Sequence, residues 1–89
     1  MKTMVTRKDN WLAAKVGNEL VMMSAESGVY IGLNDVGAFI WDLIETPRDL
    51  EQIYAIISTE FETTADGCRP EVDMFLAELE TRGAISLAP

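Results

Sequence analysis

The side chains available for catalysis are few in kind. The sequence has one cysteine, Cys68, and no histidine. A thiol–imidazole pair is therefore impossible, and the commonest general base and metal ligand is missing. One thiol makes neither an internal disulfide nor a cysteine zinc site, and an unpaired thiol suits a reducing compartment. Cys68 is expected to pack near the start of a helix. Ser24, Ser27, Ser58 and Ser86 stand in neither a G-x-S-x-G nor an S-x-x-K setting. Gly28-Val29-Tyr30-Ile31-Gly32 lacks the Gly-Lys-Ser/Thr ending of a phosphate loop. Carboxylates are plentiful, but with fifteen of them in 89 residues some pairs are inevitable. No catalytic constellation, metal set or cofactor site is read from these residues, and the chain is expected to be a binder rather than an enzyme.

The charge narrows what it binds. Seven Lys plus Arg against fifteen Asp plus Glu leave a net −8. Nucleic-acid binding rests on neutralising phosphates, and this balance opposes it. No apolar run approaches the roughly 20 residues that span a bilayer. The Met1-Lys2-Thr3-Met4-Val5 start has no apolar stretch behind it and is read as carrying no signal peptide. A cytoplasmic domain is expected.

The elements that would position a binding surface follow from hydrophobic periodicity. Residues 1–10 are polar apart from Met1, Met4 and Val5 and read as an N-terminal arm or initial strand; residues 11–89 read as one domain. Trp11–Val16 and Glu19–Ser24 flank Gly17-Asn18, a hairpin signal. A turn at Ala25–Gly28 leads into Val29–Leu33, which places Val29, Ile31 and Leu33 on one face. Asn34 or Asp35 can cap a first helix carrying Val36, Phe39, Ile40, Leu43 and Ile44 at helical spacing, with Trp41 on the shoulder. Thr46-Pro47 ends it. Asp49 can cap a second, with Leu50, Ile53, Tyr54, Ile57 and Phe61 on one face. After a polar loop at 62–67, a third helix is expected to open near Pro70, bury Val72, Phe75, Leu76 and Leu79, and end at Gly83. Ala84–Leu87 can add a final strand. The expected fold is α+β, a three-stranded antiparallel sheet followed by three helices, with a winged helix-turn-helix outline.

That outline invites a DNA-binding reading. The second helix carries Asp49, Glu51 and Glu60, and the third carries Glu71, Asp73, Glu78 and Glu80. Against phosphates these acids repel. An acyl carrier protein, the other small acidic candidate, would need an Asp-Ser pair that is missing.

The third predicted strand is more informative. Val29, Tyr30, Ile31 and Gly32 make a short apolar edge without the Lys, Pro or bulge that usually blunts one. Either the third helix or the C-terminal segment covers it, or a peptide completes the sheet, with main-chain bonds giving affinity and pockets giving specificity. In the second case Val72, Phe75, Leu76 and Leu79 would form the opposite wall. Asp73 and Glu80 lie together on one flank of that helix and Glu71 and Glu78 on the other. Asp73 and Glu80 are expected to meet basic residues of the peptide. Ile31→Pro would weaken binding if the Ile31 N–H points outward.

Gly28-Val29-Tyr30-Ile31-Gly32-Leu33-Asn34, running into Val36-Gly37-Ala38-Phe39-Ile40-Trp41-Asp42-Leu43, resembles PqqD-like domains, also called RiPP precursor recognition elements. Glu71-Val72, Phe75–Leu79 and Gly83-Ala84-Ile85 look like the family's closing helix, so the resemblance spans roughly residues 15–87. It implies a non-catalytic peptide chaperone that binds the leader of a ribosomally made precursor beside strand three and helix three and delivers it to a modifying enzyme. Gly37–Trp41, Glu45-Thr46-Pro47-Arg48 and Cys68 look most like stand-alone lasso-peptide recognition proteins, whose partner is a separate leader peptidase. Pyrroloquinoline quinone pathway members more often have Asp-Gly where this chain has Glu45-Thr46, which makes that pathway the alternative.

Overall fold

Alternating apolar residues over 11–33 and helical spacing over 34–83 produce two regimes in the computed structural model, which describes residues 2–17 and 19–89. Strands β1 (Met4–Arg7), β2 (Trp11–Val16), β3 (Glu19–Ser24) and β4 (Tyr30–Leu33) come first. Helix α1 (Asp35–Leu43), strand β5 (Arg48–Asp49), helices α2 (Leu50–Glu60) and α3 (Ala65–Thr81), and strand β6 (Ile85–Ala88) follow. Strands β2, β3 and β4 make the expected antiparallel meander, in register from Trp11↔Ser24 to Val16↔Glu19 and from Leu20↔Leu33 to Met23↔Tyr30. Gly17 turns the first hairpin with φ 66, a left-handed conformation that a side chain would strain; Asn18, the other half of that turn, lies outside the described residues.

A second sheet accompanies the first. β1 is its central strand, paired antiparallel with β5 on one side and with β6 on the other, in the order β5-β1-β6. Of the two readings of the first ten residues, arm or initial strand, Met4–Arg7 takes the strand. Val5 is fully buried, and Thr3 O accepts a hydrogen bond from Leu50 N at 2.8 Å, which ties the segment to the start of α2.

The helices begin where their caps dictate. Asn34 accepts from Gly37 N, and Asp49 forms a capping box with Gln52. Helix α3 departs from expectation. It opens at Ala65 under the Thr64 cap, five residues before Pro70, so the polar loop is shorter than the sequence suggests. Proline inside a helix removes the N–H that would bond the carbonyl four residues back. Here that carbonyl belongs to Asp66 in the exposed first turn, where it is open to solvent.

The core lies between the sheets and the three helices. Met22, Ile31 and Leu33 from the meander meet Ile40, Trp41 and Ile44 from α1, Ile53, Tyr54 and Ile57 from α2, and Val72, Leu76 and Leu79 from α3. Cys68 is buried, as expected, and burial pushes its thiol pKa up. Val29, placed on one face with Ile31 and Leu33, precedes β4 and is exposed while those two are buried. Phe61 also leaves the core stripe of α2, being the C-cap residue, and stands edge-on to Phe39 at 5.6 Å.

Candidate functional site

β4 closes one side of the meander and pairs only with β3 among the described residues. Which of its backbone groups face outward follows from one bond. Ser24 N donates to Val29 O at 2.9 Å, so the polar groups of Val29 point toward β3. Along an antiparallel strand these groups alternate sides. Ile31 and Leu33 therefore bond inward to Met22 and Leu20, and Tyr30 and Gly32 present their N–H and C=O to the free edge. The outward N–H on which the Ile31→Pro expectation depends is therefore not found. The Ile31 side chain is buried and its N–H belongs to the ladder. Side-chain alternation gives the face of a residue but not the edge toward which its amide points.

Tyr30 adds a large side chain to the outward pair, 67 % exposed, and nothing lies within 4 Å of where a Gly32 Cβ would stand. Backbone donors and acceptors of Tyr30 and Gly32 are thus open to an extended chain.

Helix α3 meets the start of α1, just after β4, through the Phe75 ring. A Cβ on Gly37, three residues after Asn34 at the head of α1, would come within 2.9 Å of Phe75 Cε1. Glycine at 37 is what lets the half-buried Phe75 ring lie against the α1 start. The other expected wall residues do not reach a surface. Val72, Leu76 and Leu79 are at most 2 % exposed because positions 72, 76 and 79 form the stripe that faces α2 and β6. Of the four, only Phe75 is partly open.

The acidic flanks of α3 also resolve. Asp73 accepts a hydrogen bond from the Tyr54 hydroxyl of α2, so its flank turns toward α2. Arg69 lies over the same Tyr54 ring at 4.6 Å and pairs with Glu51 at 3.3 Å. Glu80, seven residues on from Asp73, shares that flank by helical periodicity. Glu71 and Glu78, four before and three after Phe75, share the flank of the Phe75 ring instead. Both are exposed, and Glu78 Oε1 accepts from Arg82 Nε at 2.7 Å. The acids on the Phe75 flank are therefore Glu71 and Glu78, while Asp73 and Glu80, the pair expected to meet a basic peptide, lie on the α2 flank.

Tyr54 itself titrates abnormally. Burial first, and then the bond to Asp73, push its phenol up to about 12 from an ordinary value of 10.0. The fold favours the neutral phenol, so its contribution is complete below pH 10 and is lost as pH rises through about 12. Melting temperature should fall across that window in the parent chain, and Tyr54→Phe should flatten the fall. An identical alkaline profile in the variant would mean that the phenol does not couple to folding.

Among the described residues no group of three metal-ligating side chains converges, and no helix is long and apolar enough to cross a membrane. The family model for coenzyme PQQ synthesis protein D (PqqD) matches residues 19–85, most of the chain. The chain belongs to the PqqD family. Among solved structures it is similar to TbiB1 in complex with the TbiA(beta) leader peptide, at 26% identity and a TM-score of 0.80. That match covers 91% of this chain and 94% of the other. A search of curated proteins gave no match.

Proposed function

We propose that the chain is an adaptor that takes the leader peptide of a ribosomally made precursor as an added strand along β4 and hands it to a separate leader peptidase in lasso-peptide maturation. The observation that carries this reading is the open edge at Tyr30 and Gly32, in a fold similar to that of a protein bound to a leader peptide. Val29, Tyr30 and Gly32 line the added strand, and Ile31 holds the edge from behind. Phe75 supplies the apolar wall, while Glu71 and Glu78 meet basic leader residues. Val72, Leu76 and Leu79 act indirectly, by fixing α3 so that Phe75 stands where it does.

Titration with the synthetic leader of the precursor gene beside this one tests the reading. Saturable binding, with none to duplex DNA, is expected; failure to bind any adjacent leader, or tighter binding to DNA, contradicts it. In the same assay Glu71→Lys should weaken a basic leader by about two- to fivefold, the scale of one exposed ion pair. Asp73→Asn should change affinity less than Glu71→Lys does. The reverse ranking would return the leader to the α2 flank of α3.

The second reading is the same adaptor chemistry in the synthesis of a redox cofactor, favoured by the PQQ description of the matching family model. Leader competition separates the two: the preferred substrate is the lasso precursor under the first reading and the quinone precursor under the second.

A further inference from the structure

Among the described residues the meander has a second free edge. Ala25 N donates to Asn10 O at 2.8 Å, so the backbone of Asn10 points toward β3. By the same alternation Leu12, Ala14 and Val16 bond inward, and Ala13 and Lys15 direct their N–H and C=O outward from β2. β2 is a bare strand. Four of its six residues are Leu, Ala, Ala and Val, yet every residue after Trp11 is exposed, Leu12 to 60 % and Val16 to 65 %.

Beside this edge lies a cavity of about 360 Å³, lined by Arg7 of β1, Trp11 and Ala13 of β2, Leu20 of β3, Trp41 and Asp42 near the end of α1, and Glu45 just beyond it. Arg7 is already engaged. Its Nε donates to Trp41 O at 3.1 Å, and its guanidinium lies over the Trp41 ring at 4.2 Å. Asp42 and Glu45 are exposed and form no ion pair within 4 Å among the described residues. One guanidinium against two carboxylates leaves the cavity one negative charge in excess.

We propose that the β2 edge and this cavity dock an extended segment of the enzyme that receives the precursor, a segment with an apolar side chain for the tryptophan-lined cavity and a Lys or Arg for Asp42 and Glu45. The choice of that enzyme as occupant rests on the adaptor reading above. Unpaired main-chain groups call for a strand, the half-buried Trp11 indole offers an aromatic contact of the kind that anchors interfaces, and the one carboxylate in excess of Arg7 calls for a cation. A second copy of this chain fits poorly, since it would bring a further −8 to the interface. β3 lies between β2 and β4, which separates the two free edges by about 10 Å. Leader and enzyme strands thus extend one sheet from opposite sides, and neither displaces the other.

The test measures binding of the full chain to the enzyme encoded beside the precursor gene, and separately to the leader. Ala13→Pro removes an outward N–H without costing a ladder bond. The double variant Asp42→Lys, Glu45→Lys reverses the cavity's charge and decides the question if Ala13→Pro fails to fold. Each should lower enzyme affinity at least about tenfold, the scale of a lost interfacial hydrogen bond or charge pair, with leader affinity unchanged. Unchanged enzyme affinity in folded variants overturns the proposal. So does the absence of binding in the parent chain, or a parent dimer that Ala13→Pro makes monomeric. A chain that ignores the leader yet shows this pattern with the enzyme would refute the adaptor reading and leave the β2 surface standing.

Discussion

Replacing Gly32 with proline is expected to reduce leader affinity by about tenfold or more while the chain still melts cooperatively near its original temperature. The Gly32 N–H points away from β3, so proline there removes no bond of the folded chain. Space is also available, since a Cβ at 32 meets nothing within 4 Å. In the complex the same ring leaves a leader carbonyl without its donor and crowds the added strand, a loss on the order of 1–3 kcal/mol. Ile31→Pro should behave oppositely. It takes a donor from the β3–β4 ladder and a buried side chain from the core, and destabilises the fold by on the order of 3 kcal/mol. Binding isotherms and thermal melts of the two variants together separate edge recognition from structural support. Equal effects on stability would show that the edge polarity derived from Ser24 and Val29 is wrong.

Deleting residues 1–7 is expected to abolish cooperative folding. β1 joins β5 to β6, and its four pairings with β6, from Met4↔Ala88 to Arg7↔Ile85, are lost with it. Losing the buried Val5 side chain alone costs about 1.5–3 kcal/mol, and its neighbour across the ladder, Leu87, loses its cover. The Arg7 contacts to Trp41 also go, and with them a clamp on the end of α1. Small domains hold only about 5–15 kcal/mol in total, so these losses together exhaust the margin. A truncated chain that kept a cooperative melt within a few degrees of the parent would show that β1 is a dispensable arm after all.

The contrast between the two sheets shows what the sequence could convey. The meander is legible because its strands are neighbours in the chain and its turns are marked by Gly17 and by Ala25–Gly28. Both early helix caps, Asn34 and Asp49, are legible for a similar local reason: each is a short polar side chain set just before an apolar helical stripe. The β5-β1-β6 sheet joins Val5 to Leu87 and Arg48, and no local pattern in Met4–Arg7 reveals partners that distant. At α3 the local signal misled, because Pro70 suits a first turn yet sits beyond one already capped by Thr64.

The site was legible to the same depth. Periodicity identifies the apolar stripe of α3 and its two acidic flanks, but the direction of each flank depends on what packs beside it. Phe75 against Gly37 and Tyr54 on Asp73 supply that direction. Likewise Val29–Leu33 reads as an edge strand from its composition, while the choice of Tyr30 and Gly32 over Ile31 needs the Ser24–Val29 bond. The net −8 disfavours phosphate partners at the level of the sequence; helical periodicity in the fold sets Glu71 and Glu78 on the Phe75 flank of α3 and Asp73 on the flank that meets α2.

Amide hydrogen exchange resolved to single residues, with and without the adjacent leader peptide, tests the strand-addition geometry most directly. Strand addition along β4 predicts that the Tyr30 and Gly32 amides become protected on binding, with Ala13 and Lys15 on β2 left as they were. Saturable leader binding that leaves Tyr30 and Gly32 exchanging at their free rates would contradict it.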